Sequence, residues 1–291
     1  MKIAVLGAAG QLGRDLCPRL AALGEVVPLS RADIDLSQPS TITTTRIASY
    51  DLDYFVNAAA YNFVDKAETE PEAAFAVNAL GVRALARACD EAGALLVHYS
   101  TDFVFGIDPA HTVPRTETDL PGPASAYGVS KLAGEYFVLD EVYGALVIRT
   151  CGLYGMWGSG GKGGNFVETM LRVSGQGKPL RVVNDQRCTP SYTADVAAAT
   201  VSLLERGVKG LIHVTNSGDC TWYEFAAEIF RQSGLTPDLI PITSAEFGAA
   251  AKRPAYSVLS TAKLVSQGVP ALRPWQEALA AYLVERQNKP A

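Results

Sequence analysis

Tyr127 and Lys131 stand four residues apart in Tyr127-Gly128-Val129-Ser130-Lys131. On a helix that spacing puts both on one face, one turn apart. An ammonium beside a phenol favours the phenolate and lowers its pKa from about 10. A tyrosine placed so is a usable general acid. Two hydroxyls, Ser100 and Thr101, follow the apolar run 94–100 in His98-Tyr99-Ser100-Thr101-Asp102. Ligands of open α/β sheets bind outside the carboxyl ends of the strands, so these hydroxyls can reach a substrate carbonyl. Asn57-Ala58-Ala59-Ala60 ends an earlier apolar run in the same way.

Gly7-Ala8-Ala9-Gly10-Gln11-Leu12-Gly13 follows the first apolar run and precedes a helical pattern. Glycines there permit a tight turn and close approach of backbone to a pyrophosphate, and a helix N-terminus offers free N–H groups. The GxxGxxG spacing differs from the GxGxxG fingerprint, but the strand and helix flank it on the correct sides. Where an acidic residue after the second strand would accept from the 2′-hydroxyl of NAD, the chain has Ser30-Arg31. Arginine pairs with a 2′-phosphate and serine donates to it. NADP(H) is therefore the expected cofactor, with NAD(H) second. Each piece also has a structural reading: a packing turn, a solvated Arg31, a surface Tyr-Lys pair, or local strand-end bonds. Asn78 orders either an active-site backbone or its own helix. His98, inside a strand, reads as a satisfied core histidine.

The elements that position these residues alternate. Strands are expected at 2–6, 25–29, 54–58, 94–100, 145–150 and 211–215. Helices are expected at 11–23, 72–92, 125–139, 165–174, 193–205, 222–233 and 274–286. Apolar residues recur at helical spacing in the helices, as at Leu12, Leu16 and Leu20, and nearly continuously in the strands. The stretch 155–164 holds six glycines and reads as a loop. Strand–helix alternation predicts parallel βαβ units. The expected fold is an α/β, Rossmann-type doubly wound parallel sheet with a smaller C-terminal substrate-binding α/β subdomain. Residues 1–150 form the nucleotide-binding part, its sheet completed by segments near 181–217, and 151–180 with 218–291 form the subdomain.

Composition narrows the function classes. The 291 residues carry a net charge of −5, which gives no broad basic field for nucleic acid or an anionic membrane. No segment reaches the roughly 18 apolar residues of a spanning helix. The opening residues 1–7 do not read as a signal peptide, and the cytoplasm is the expected compartment. Cys17, Cys89, Cys151, Cys188 and Cys220 form no CxxC pair, and the three histidines are His98, His111 and His213. Neither a disulfide framework nor a zinc site is expected, and no metal ligand is assigned.

Together these pieces resemble the extended, nucleotide-sugar-binding branch of the short-chain dehydrogenase/reductases, where GxxGxxG, an NAAA-like strand end, a Ser/Thr and YxxxK occur in this order. More narrowly, the chain resembles the dTDP-4-dehydrorhamnose reductase family. Further residues behind that are Tyr61, Val64-Asp65-Lys66-Ala67-Glu68, Asp102-Phe103-Val104-Phe105 and Tyr127 through Gly134. They continue with Asn165-Phe166, Met170-Leu171, Asn184-Asp185-Gln186, Arg253-Pro254 and Ser257-Val258-Leu259. The resemblance runs nearly end to end. It implies NADPH-dependent reduction of the 4-keto group of a dTDP-linked 6-deoxy sugar, dTDP-4-dehydro-L-rhamnose, to dTDP-L-rhamnose. Tyr127 would be the proton donor, Lys131 would hold the nicotinamide ribose, and Thr101 would orient the carbonyl. The cofactor would meet Gly7, Gly10, Gln11, Leu12, Gly13, Ser30, Arg31, Asp35, Leu36, Ala58, Ala59 and Ala60 together with Tyr127 and Lys131. Asp102, Phe103, Asn165 and Arg253 would meet the substrate.

The chain departs from the family pattern at Cys151-Gly152, where a Ser-Trp pair is usual, and at Arg187-Cys188 and Pro190-Ser191. Those departures bear on which sugar is taken. Two other readings share the resemblance: a nucleotide-sugar epimerase or dehydratase, and a catalytically silent NADP-binding subunit like the β subunit of methionine adenosyltransferase. A monomer or a homodimer is expected. Some relatives hold magnesium at a dimer interface, but no residue here marks such a site.

Overall fold

The computed structural model describes residues 1–158 and 164–288. Part of the glycine stretch expected as a loop, 159–163, lies outside the described residues. Six parallel strands form the central sheet. In spatial order they are Gly210–His213, Leu146–Thr150, Leu95–Thr101, Tyr54–Asn57, Lys2–Leu6 and Glu25–Leu29. The chain starts at Lys2–Leu6, steps outward to Glu25–Leu29, then returns to Tyr54–Asn57 on the other flank. That reversal is the switch point of a doubly wound sheet, where a crevice opens at the carboxyl ends. Leu6 pairs with Asn57, which brings Gly7 and Ala58 side by side at its mouth.

Strand side chains alternate between two apolar layers because the pleat has period 2. Ile3, Val5, Val56, Val97, Ile148 and Ile212 pack with Leu12, Leu16 and Leu203 on one face. Ala4, Leu6, Phe55, Leu96 and Val147 pack with Leu85 and Val138 on the other. Each such Val, Leu, Ile or Phe side chain contributes about 1.5–3 kcal/mol when fully buried. A third cluster, with Tyr154, Val167, Phe225, Trp275 and Tyr282, comes from the chain after Thr150. Of the expected completion near 181–217, the strand Gly210–His213 joins the main sheet. Leu180–Val183 instead pairs with Leu239–Ile242 in a separate two-stranded sheet. Pro241 sits there without cost to an inner ladder, since a two-stranded sheet is all edge.

Two helices differ from the periodicity. The helix expected at 11–23 spans Gly13–Leu20, so Gln11 and Leu12 belong to the turn before it. The one expected at 72–92 runs as Pro71–Phe75, a wider π turn at Ala76–Leu80, and Gly81–Ala92. The π turn coincides with two close approaches. A Cβ on Gly81 would lie 2.0 Å from the Leu36 carbonyl oxygen, and one on Gly134 would lie 2.2 Å from that of Asn78. Among the described residues no helix is long and apolar enough to cross a membrane.

Candidate active site

A cavity of about 770 Å³ lies at the switch point. Gly7, Gly10, Gln11 and Leu12 line it from the first turn, Ala58, Ala59 and Ala60 from the third strand end, and Thr101, Asp102 and Phe103 from the fourth. Tyr127 and Lys131 enter from the helix Ala126–Glu141, and Asn165 and Arg253 close the far side. Residues from six separate segments thus converge.

The glycine turn is built for close approach. Gly7 has φ +83°, and a Cβ there would sit 3.0 Å from the Ala59 amide nitrogen. Gly13 packs on the turn itself, where a Cβ would meet the Gly7 carbonyl oxygen at 2.1 Å. Gln11 Nε2 donates to the Leu153 carbonyl oxygen at 3.0 Å, tying the turn to the segment after the fifth strand. Three buried oxygens at the cavity, Gln11 Oε1, Ser100 Oγ and Thr150 Oγ1, have no hydrogen-bond partner among the described residues. Buried polar atoms left so cost free energy that a polar ligand would recover. This polar, glycine-floored crevice fits a dinucleotide.

Ser125 caps the helix carrying the Tyr-Lys pair, its hydroxyl accepting from the Gly128 N–H at 3.2 Å. Lys131 is buried and Tyr127 half-buried, and the expected effect of the lysine on the phenol is overturned. Burial pushes the Tyr127 phenol up to about 12, with Asp102 adding to the rise and the Thr101 hydroxyl opposing it. The Lys131 ammonium is turned elsewhere, donating to the Tyr99 carbonyl oxygen at 2.6 Å with His98 Nε2 at 3.4 Å. Burial lowers Lys131 to about 8, against the pull of Glu135. Tyr127 is therefore a neutral phenol at physiological pH. Phe103 meets its ring edge-on, centroids 5.6 Å apart.

Thr101 Oγ1 donates to Asp102 Oδ1 at 3.1 Å and accepts from the Phe103 N–H at 3.2 Å. Asp102 also accepts from Ser257 at 2.5 Å and from Cys151 Sγ at 3.0 Å. Burial raises its carboxyl pKa, and these donors oppose the rise. Ser257 and Cys151 are partners that sequence reasoning missed. Cys151 stood out only as a departure, and Ser257 only as part of Ser257-Val258-Leu259, with no role given to it.

Several expected contacts are differently employed. Asn165 caps the helix Phe166–Ser174, accepting from the Glu168 N–H at 3.0 Å, and its Nδ2 holds the Gly155 carbonyl at 2.9 Å. Arg253 pairs with Asp65 at 2.7 Å, so its charge at the cavity rim is met from within the protein. Ser30, Arg31, Asp35 and Leu36 lie outside the main cavity. Leu36 is a buried member of the core, and its carbonyl lies against Gly81. Asp35 binds Arg31 at 3.2 Å, and Arg31 also donates to Ser37 at 3.1 Å. Ser30 lines a neighbouring recess of about 410 Å³ with Ala8, Ala9 and Arg14. Arg14, a cation the sequence reading passed over, stacks on Trp157 at 4.6 Å. Asn78 does order backbone: it accepts from the Tyr61 N–H and donates to its carbonyl, both at 2.9 Å. Among the described residues no group of three or more His, Cys, Asp or Glu side chains is arranged to hold a metal.

Known proteins share this architecture over its full length. A dTDP-4-dehydrorhamnose reductase of Mycobacterium tuberculosis is 38% identical, covering 99% of this chain and 94% of its own. A probable dTDP-4,6-dihydroxy-2-methyloxan-3-one 4-ketoreductase of Streptomyces antibioticus is 41% identical, covering 96% and 93%. The crystal structure of dTDP-4-dehydrorhamnose reductase from Bacillus anthracis in complex with NADP superposes with a TM-score of 0.90 at 35% identity, covering 98% and 99%. The family described as RmlD substrate binding domain matches residues 1–288. This chain belongs to that family.

Proposed function

We propose that the chain is an NADPH-dependent reductase that converts the 4-keto group of dTDP-4-dehydro-L-rhamnose to the alcohol of dTDP-L-rhamnose. The observation that carries this reading is a neutral, half-buried Tyr127 in one cavity with a hydroxyl, a lysine and a glycine-floored dinucleotide crevice. Gly7, Gly10, Gln11, Leu12 and Ala58 through Ala60 would hold the dinucleotide, with Lys131 at its nicotinamide ribose. When bound, the nicotinamide supplies a hydride. The protein's own work is to orient the ketone and protonate the oxygen that gains charge. Tyr127 gives its phenolic proton to that oxygen, so ketone, hydride and proton sum to the alcohol. Thr101 turns its hydroxyl from Asp102 to the same oxygen, a donor aimed where charge develops. Asp102, held by Ser257 and Cys151, would meet the sugar from beside Thr101. Asn165, Phe166 and Arg253, from the expected subdomain, would form the sugar-nucleotide side of the cavity.

Deuterium transfer tests this directly. NADPH deuterated at nicotinamide C4 should yield dTDP-rhamnose with deuterium at sugar C4 and none elsewhere. Label in solvent, or sugar returned unreduced, would contradict the assignment. A second reading concerns the sugar: Cys151-Gly152 stands where the family usually has Ser-Trp, and one relative acts on a different 4-keto sugar. A panel of dTDP-4-keto sugars ranked by kcat/KM decides between them.

A further inference from the structure

His98 is fully buried behind the cavity and joins three strand and helix elements through its two ring nitrogens. On one side, Asn57 Nδ2 lies 3.1 Å from His98 Nδ1. The orientation of that amide is settled by a third group, because Asn57 Oδ1 accepts from the Ala59 N–H at 3.1 Å. The amide NH₂ therefore donates to Nδ1, and Nδ1 accepts. A neutral imidazole has one donor and one acceptor nitrogen, so its proton is on Nε2. Burial and the nearby Lys131 hold His98 neutral, its pKa pushed well below the ordinary value.

Nε2 faces Lys131 Nζ at 3.4 Å. An ammonium only donates, so a ring N–H pointing at it offers nothing to bond. A neutral amine has a lone pair and can accept that N–H. The contact thus favours the deprotonated lysine. The remaining groups around Nζ are the Tyr99 carbonyl, which favours the ammonium, and Glu135 one turn along the same helix. Glu135 is occupied by Arg149 of the fifth strand through bonds of 2.6–3.1 Å. Tyr127 and Asp102 face the cavity side, neutral and proton-favouring respectively.

We propose that Asn57 and His98 are a positioning pair for Lys131, presenting it a ring N–H in place of a lone pair so that the lysine gives up its proton readily. In a working reductase the loss of that proton from Lys131 would set the alkaline limit of turnover. This limit rests on the reductase reading; the tautomer and the lysine's titration do not.

Nitrogen-15 NMR of the histidines, with His98 assigned from the spectrum of His98→Gln, reads the tautomer in the whole protein. The expected result is a protonated Nε2 and a bare Nδ1 at neutral pH. A protonated Nδ1 would overturn the proposal, since Nε2 would then accept from the ammonium. NMR of labelled lysine side chains reads the second half without any catalysis. Lys131 should titrate near 8. Asn57→Leu removes the donor without adding charge and lets Nε2 turn its lone pair to the lysine. The Lys131 midpoint should rise by about one pH unit or more, a tenfold weaker acid. Asn57→Asp should raise it as well, since a carboxylate draws the ring proton to Nδ1. A rise with Asp and none with Leu would mean charge alone acts, and the pair would be struck. His98→Gln keeps an amide N–H toward Lys131 and should leave the midpoint low. If turnover is present, the alkaline limb of kcat should follow the same midpoints. A silent enzyme with the expected midpoints would leave the pair standing and remove the reductase reading.

Discussion

Tyr127 keeps its proton because the half-buried phenol is poorly solvated, and a proton donor for reduction needs that proton in place. Tyr127→Phe removes the acid and keeps the ring against Phe103. A positioned acid contributes about 10²–10⁴-fold, so kcat should fall by that order while NADPH still binds. An unchanged kcat would remove Tyr127 from the role. Arg31 is legible in the sequence as a 2′-phosphate partner, but the structure gives it Asp35. That pair is exposed on the arginine side, at 78% of the side chain, and such pairs are worth about 0–1 kcal/mol. A phosphate offering about 1.5–3 kcal/mol can therefore win it. Arg31→Ala should weaken NADPH about 10–100-fold and leave NADH nearly untouched, by titration of both cofactors. Equal losses would mean that Arg31 acts through its loop. The Tyr-Lys spacing was visible at this scale. The direction of the lysine was not, because its acceptor is the Tyr99 carbonyl on another strand.

Helices here are placed by glycines and by one buried ion pair. Gly134 lets the helix Ala126–Glu141 touch the backbone at Asn78, where a Cβ would be 2.2 Å from a carbonyl oxygen. Gly134→Ala must move that helix and with it Tyr127, so kcat should drop with a loss of melting temperature. On the same helix Glu135 is fully buried against Arg149. Removing one partner of such a pair leaves the other charged and dry, at about 3–5 kcal/mol. Glu135→Gln should lose that much in urea unfolding, and a loss near zero would show that Arg149 finds water or another acceptor. Periodicity located most elements because their apolar faces are strong. It missed the π turn at Ala76–Leu80, which lies beside close approaches of Leu36 and Gly134, distant in sequence. The pairing of Leu180–Val183 with Leu239–Ile242 was likewise invisible, since a four-residue apolar run does not name its neighbour.

Across the molecule, the six-stranded sheet sets the crevice and the later segments close it. The alternation of strands and helices made the sheet readable from the sequence, and the switch point followed from its order. The inner bonds of the cavity did not, since Asp102, Cys151 and Ser257 meet only after folding. A ligand that binds only the folded chain stabilises it by about 2.7 kcal/mol at a hundredfold excess over Kd. NADPH at that level should raise Tm by roughly 4 °C, since 291 residues at about 2.1 cal/mol/K each give about 1.6 °C per kcal/mol. No shift would count against the crevice as a dinucleotide site.

The reductase reading requires that this one chain, unaided, reduce a dTDP-4-keto sugar. The measurement is NADPH oxidation by the purified protein with dTDP-4-dehydro-L-rhamnose, followed by absorbance, with Tyr127→Phe alongside. One NADPH should be consumed per sugar by the wild type, and the variant should be slower by about 10²–10⁴-fold. Tight NADPH binding with no oxidation, for this sugar and for every 4-keto sugar offered, would contradict the account and make the chain a silent cofactor-binding subunit.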